Sequence, residues 1–170
     1  MKTLILTLAT AFLLMNARLT TAEVVVEVPK EVLNEMELLV GDWEAKGTVN
    51  GQPFTGTYSA KWAPAEHCLI LASSLKGAID SPASGIGGWS PDRNQYVETW
   101  YHSDGTCRTV RYSLGGQKGV WTGKVTMVAK DGKKTSGKVH LRGSDDEFRG
   151  GSTTTVNGEK TVIKYVCRKK

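Results

Sequence analysis

The stretch QYVETWYHSDGTCRTVRYSL, residues 95–114, decides how the rest of the chain is read. Tyr96, Glu98, Trp100 and His102 recur at every second position, so they share one side of a strand over 95–102. Asp104-Gly105 then marks a turn, because its central positions take positive φ at low cost, and a second strand follows over 106–114. The same punctuation recurs on either side of this hairpin. Asn50-Gly51, Asp131-Gly132 and Asn157-Gly158 are tight-hairpin dipeptides, and 90–94 and 115–119 are longer turns. All 19 glycines fall between Gly41 and Gly158, which suits frequent turns and opposes long helices.

These turns bound ten candidate strands at 42–49, 53–62, 67–76, 85–90, 95–102, 106–114, 119–129, 134–142, 146–156 and 160–168. Nearly every connection is too short for a crossover helix, so the expected topology is an antiparallel meander. Closing it removes both exposed edges and leaves one inner surface. Phe54, Gly56, Tyr58, Ala60 and Trp62 share a face of the second strand, and Trp121, Gly123, Val125, Met127 and Ala129 a face of the seventh. The expected fold is therefore all-β, an up-and-down antiparallel barrel of about ten strands, preferred to a sandwich because no long Greek-key return is visible. A short helix over 30–39, with Val32, Met36 and Leu39 at helical spacing, precedes it.

Residues 1–22 read as a secretory signal peptide: Lys2, an apolar run from Leu4 to Met15, and Thr20-Thr21-Ala22 before the cleavage point. Asn16 and Arg18 interrupt the run well short of the roughly 20 apolar residues a membrane-spanning helix needs. The expectation is a secreted or periplasmic protein with no stable membrane insertion, divided into signal peptide (1–22), linker and start of the helix (23–36) and barrel domain (37–170). The formal charge of +5 falls to +3 once Lys2 and Arg18 are removed. Lys130, Lys133, Lys134 and Lys138 surround a turn and read as a solvated hairpin tip. No basic group interleaves with aromatics as a nucleic-acid platform requires, so no nucleic-acid partner is expected. Cys68, Cys107 and Cys167 lack metal or Cys-x-x-Cys spacing; any two would be able to pair in an oxidising compartment, or all three to stay reduced.

The segments 38–43 (LLVGDW) with Gly47, 56–57, 87–92 (GGWSPD), 96–100 (YVETW), 103–105, 121–123 and Lys164-Tyr165 to Arg168-Lys169 resemble the DUF1579 family of uncharacterised bacterial proteins, over almost all of residues 37–170. The resemblance implies a lipocalin-like, calycin-type barrel and assigns no activity. Gly41-x-Trp43 is also similar to the first strand of lipocalins and nitrobindin-type haem barrels. In those folds the tryptophan closes the barrel base beneath a basic residue of the last strand, which implies Arg168 or Lys164 here. The histidine that holds haem iron late in nitrobindin-like chains has no counterpart after His140.

Glu98, His102, Arg108 and Tyr112 form the best polar constellation. Facing the lumen, they would hold a carboxylate, a phenol or a haem propionate through charged hydrogen bonds; facing out, they would form a cross-strand network on the outer wall. With Tyr58, Trp62 and Trp100 they make up the candidate ligand-binding set, while Trp43 and Arg168 are the candidate closure pair. Glu66-His67-Cys68 is a poor metal site because adjacent strand residues point to opposite faces. No serine sits in a Gly-x-Ser-x-Gly elbow, and Cys107 with His102 is the one nucleophile–base pair that proximity permits. The expected partner is a small hydrophobic or amphipathic molecule in the lumen, with no cofactor, no metal and no assigned catalytic residue. The alternatives are a filled structural or interaction barrel, and an enzyme built on Glu98, His102 and Cys107.

Overall fold

The computed structural model describes residues 27–64, 66–114, 116–156 and 158–170; the expected signal peptide lies outside them. Helix α1 (Lys30–Glu37) leads into ten strands: β1 (Gly41–Val49), β2 (Gln52–Trp62), β3 (Cys68–Gly77), β4 (Ala83–Ser90), β5 (Gln95–His102), β6 (Cys107–Leu114), β7 (Val120–Val128), β8 (Lys134–Gly143), β9 (Glu147–Val156) and β10 (Glu159–Lys169). Each strand pairs antiparallel with its sequence neighbours, and β10 returns to β1 to close the barrel. The expected fold class is the one found.

The turns divide by loop length. At Asn50-Gly51 both residues have positive φ, 50° and 86°, as a two-residue hairpin demands. The two Asp-Gly loops are longer, and there only the glycines, Gly105 and Gly132, take positive φ. Each aspartate instead accepts the backbone N–H two residues on, Thr106 at 2.8 Å and Lys133 at 3.1 Å, so its side chain shapes the turn.

Strand parity gives the barrel an inside. Trp43, Ala60, Leu69, Leu71, Tyr96, Trp100, Tyr112, Trp121 and Phe148 are buried inward, whereas Ile70, Ile86 and Tyr101 lie exposed on the outer wall. The antiparallel path puts the start of β1 and the ends of β2, β6 and β10 at one end, the base, and the β1–β2, β5–β6 and β7–β8 hairpins at the other, the rim.

Helix α1 plugs the base. Val32 and Met36, one turn apart on one face, are buried in the barrel core. The helix segment also supplies acceptors for three indoles, one buried, one partly buried and one near the surface. Trp43 Nε1 donates to the Leu39 carbonyl at 3.0 Å, Trp62 Nε1 to Glu37 at 2.8 Å, and Trp121 Nε1 to Glu35 at 2.6 Å. Glu35 accepts the Gly119 N–H as well, at 2.9 Å.

Trp43 therefore closes the base, fully buried and edge-on to Phe148 at 4.8 Å. The cation over its ring is Lys169, 5.4 Å from the centroid, and not Arg168 or Lys164. The reason is parity. The inward side of β10 carries Ile163, Tyr165, Cys167 and, in register with Trp43, Lys169. Arg168 points outward, where its Nε donates to Glu147 at 3.0 Å.

Candidate functional site

The base half of the lumen is packed with aromatic rings. Tyr96, Tyr112 and Trp121 form one cluster, with centroids 5.2 to 6.2 Å apart. Room for the Tyr96 phenol comes from Gly87 on β4, where a Cβ would collide with Tyr96 Oη. Phe148 joins Trp43, Tyr58 and Tyr165 in a second cluster.

Toward the rim the filling stops and a cavity of about 300 Å³ opens, the volume of roughly ten liquid waters. Leu75, Val110, Val125, Met127 and Ile163 give it apolar walls; Tyr58, Tyr112 and Tyr165 line its deeper part, and Ser81, His102, Asp104 and Thr106 its rim. Its lining also reaches down to Leu39, Leu141 and Phe148 of the base.

At the middle of the wall three inward residues of one hairpin form a connected unit. Trp100 on β5 donates its Nε1–H to Glu98 Oε2 at 2.9 Å. Arg108, directly across from Trp100 on β6, lays its guanidinium over the indole with its carbon 5.1 Å from the ring centroid. Glu98 is buried at 6% exposure. Burial raises its carboxyl pKa above the usual range, while the Trp100 N–H and the Arg108 charge pull it partly back. Arg108 Nε is buried without a hydrogen-bond partner. Among the described residues, no carboxylate lies within 4.0 Å of this guanidinium.

At the rim, His102 Nδ1 and Ser81 Oγ share a 3.0 Å hydrogen bond. Burial and then the nearby Arg108 hold the His102 imidazole below its ordinary pKa, against the opposing pull of Asp104, which favours the neutral ring at neutral pH. Burial likewise pushes the phenols of Tyr58 and Tyr112 well above their ordinary range, with Glu98 adding to the shift. These phenols therefore act as neutral hydrogen-bonding groups.

Six of the seven sequence-derived candidates meet in this cavity: Tyr58, Glu98, Trp100, His102, Arg108 and Tyr112. The outer-wall arrangement of Glu98, His102, Arg108 and Tyr112 is excluded, since all four face the lumen. Trp62 lies apart, at the base, held by Glu37. Cys107 also lies apart; it is opposite the exposed Tyr101 and on the other side of β6 from Arg108. The Glu98–His102–Cys107 convergence required for the proposed enzyme is therefore not formed. Among the described residues no group of three His, Cys, Asp or Glu side chains is placed to hold a metal ion. Ser81, which the strand reading had no means of finding, joins the site from the β3–β4 loop.

No protein-family model and no curated protein matches the chain. Among solved structures, the chain is similar to Rv2717c from M. tuberculosis, with a TM-score of 0.64 and 12% identity over 85% of this chain and 99% of that one. It is also similar to a redesigned β-barrel, mFAP1, bound to DFHBI, with a TM-score of 0.43 and 16% identity over 80% of this chain and 99% of that one. A third likeness is EF1p2_mFAP2b bound to DFHBI, with a TM-score of 0.46 and 11% identity over 81% of this chain and 98% of that one. The similarity to Rv2717c, at that identity, establishes the barrel fold.

Proposed function

We propose that this chain is an exported, non-catalytic binding protein that takes one small, partly apolar molecule into the cavity of its barrel. The observation that carries the reading is the cavity of about 300 Å³, largely apolar and with a few inward polar groups at mid-wall and rim. Such a combination fixes a ligand's orientation while burying most of its surface. Export, to the periplasm or the medium, rests on the pattern of residues 1–22, and kinship with DUF1579 on the Gly41-Asp42-Trp43, GGWSPD and YVETW segments.

The test is titration of the chain from Glu23 onward with prodan, a neutral naphthalene dye whose emission shifts in apolar surroundings. A saturable 1:1 shift is expected in the wild type and not in Met127→Trp, which fills the cavity, provided that the variant keeps the wild-type circular dichroism spectrum. Absence of saturable binding, or equal binding by the folded variant, would overturn the reading in favour of a structural or interaction barrel. N-terminal sequencing of the protein recovered from cell fractions tests export: a chain starting at Glu23 outside the cytoplasm is expected, and an intact Met1 in the cytoplasm would refute it.

A further inference from the structure

The two charged groups at mid-wall are not equivalent, and the difference indicates what class of molecule the cavity takes. Glu98 is engaged by the Trp100 indole N–H. Arg108 sits over the same indole, its guanidinium carbon 5.1 Å from the ring centroid, but its Nε is buried and unpartnered. A buried donor on a cation is costly when unmet, and a ligand acceptor would meet it with a charge-assisted hydrogen bond. We propose that the lumen ligand is a small amphipathic monoanion, carrying a carboxylate or phenolate, whose charged group pairs with Arg108 and whose apolar body lies among Leu75, Val110, Val125 and Met127. This deepens the lumen-binding reading and rests on it.

The surroundings limit the ligand's charge as well as its sign. Among the described residues lining the cavity, Arg108 is the one arginine or lysine, whereas Glu98 and Asp104 line it too, Asp104 at the rim. A dianion such as a phosphate monoester would meet one cation and two carboxylates. A cationic ligand would bring like charge to Arg108, and a neutral one without an acceptor would leave Arg108 Nε unmet. Tyr112 on β6 and Tyr165 on β10, across the lumen from it, supply phenolic hydroxyls to the cavity, suited to hydrogen bonding a carboxylate. With room for about ten liquid waters, the cavity fits one or two rings or a medium-length alkyl chain.

The experiment compares three probes of one shape, 2-naphthoate, 2-naphthamide and 2-naphthylmethylammonium, by displacement of prodan at low salt. The wild type should bind 2-naphthoate about tenfold or more tighter than the amide, and the ammonium weakest. Arg108→Gln should lose the preference for the anion while still binding the amide, and Arg108→Lys should keep part of it. Glu98→Gln, which removes a negative charge and leaves Arg108 in place, should strengthen naphthoate binding relative to the amide; this variant and the wild-type order test the idea even if Arg108→Gln fails to fold. Equal binding of naphthoate and amide by the wild type, or an anion preference surviving in folded Arg108→Gln, would overturn the monoanion assignment and leave lumen binding standing. Failure of the wild type to bind prodan or any of the three would overturn both.

Discussion

Glu35 and Trp121 are 86 residues apart in the chain and joined by a 2.6 Å hydrogen bond from the indole to the carboxylate. With the Gly119 N–H on the same carboxylate, this contact ties the helix to the β7 side of the barrel. The base is sealed by fitted acceptors as well as by apolar packing, because the indoles of Trp43 and Trp121 each bring a donor that finds a partner there.

Glu35→Ala removes two of those pairings and should cost about 1–3 kcal/mol, since the Gly119 and Trp121 donors are left in a partly buried site. Denaturant titration of the wild type and variant measures it. A loss below about 0.5 kcal/mol would mean that water replaces the carboxylate without penalty.

Trp43→Ala should cost about 3–5 kcal/mol by the same measurement, because the indole is fully buried against Phe148 and its N–H is satisfied by the Leu39 carbonyl. A change under about 1 kcal/mol would show that Trp43 is not part of the packed base.

Gly87→Ala places a Cβ against Tyr96 Oη, a phenol oxygen that is itself buried without a partner. The substitution should destabilise by about 1–3 kcal/mol. Tyr96→Phe alone should be nearly neutral and, combined with Gly87→Ala, should recover part of the loss. Additive costs in the double-mutant cycle would show that the two sites do not interact.

The acid dependence of stability should carry a Glu98 component of definite sign. Burial raises this carboxyl above its ordinary 4.5, so the folded state binds the proton more tightly than the unfolded chain does. Its contribution to stability is fully present below about pH 4.5 and is lost as pH rises through the folded-state value. In Glu98→Gln that decline is absent. The stability of the wild type relative to the variant should therefore fall across the weakly acidic range and then level off, which denaturant titrations at several pH values would record. A difference that rises with pH would mean that Arg108 outweighs burial.

The three cysteines are unpaired, and they differ in surroundings. Burial pushes the Cys167 thiol up to about 12, while Cys68 and Cys107 are half-buried. A thiol reagent at neutral pH should leave Cys167 unmodified in the native protein and label all three once the protein is unfolded. Fewer than three thiols in the unfolded, unreduced chain would reveal a disulfide.

Much of the barrel was legible because hairpin chemistry is local. Each expected strand begins and ends within two residues of the observed one, and Tyr96, Glu98, Trp100 and His102 fall on one side simply because their spacing is two. Which side faces in is a property of the whole closed sheet, and there the local reading stopped. It left the Glu98 constellation open between lumen and outer wall, and it placed Arg168 over Trp43, one residue out of phase with Lys169. The roles of Glu35 and Glu37 were also out of reach, since acidic residues on a short helix look like a solvated face until the barrel brings Trp121 and Trp62 beneath them. Ser81 was missed for a similar reason: its partner His102 is 21 residues away, on a strand that its own loop does not adjoin in sequence.

The seam between β1 and β10 has a practical side. Trp43 sits opposite Lys169, and the Lys170 N–H donates to the Asp42 carbonyl at 3.0 Å, so the barrel's first and last strands meet at the plugged end. The polypeptide thus enters and leaves the barrel far from the rim. Any group attached past the end of β10 would therefore lie against the base and leave the rim residues clear.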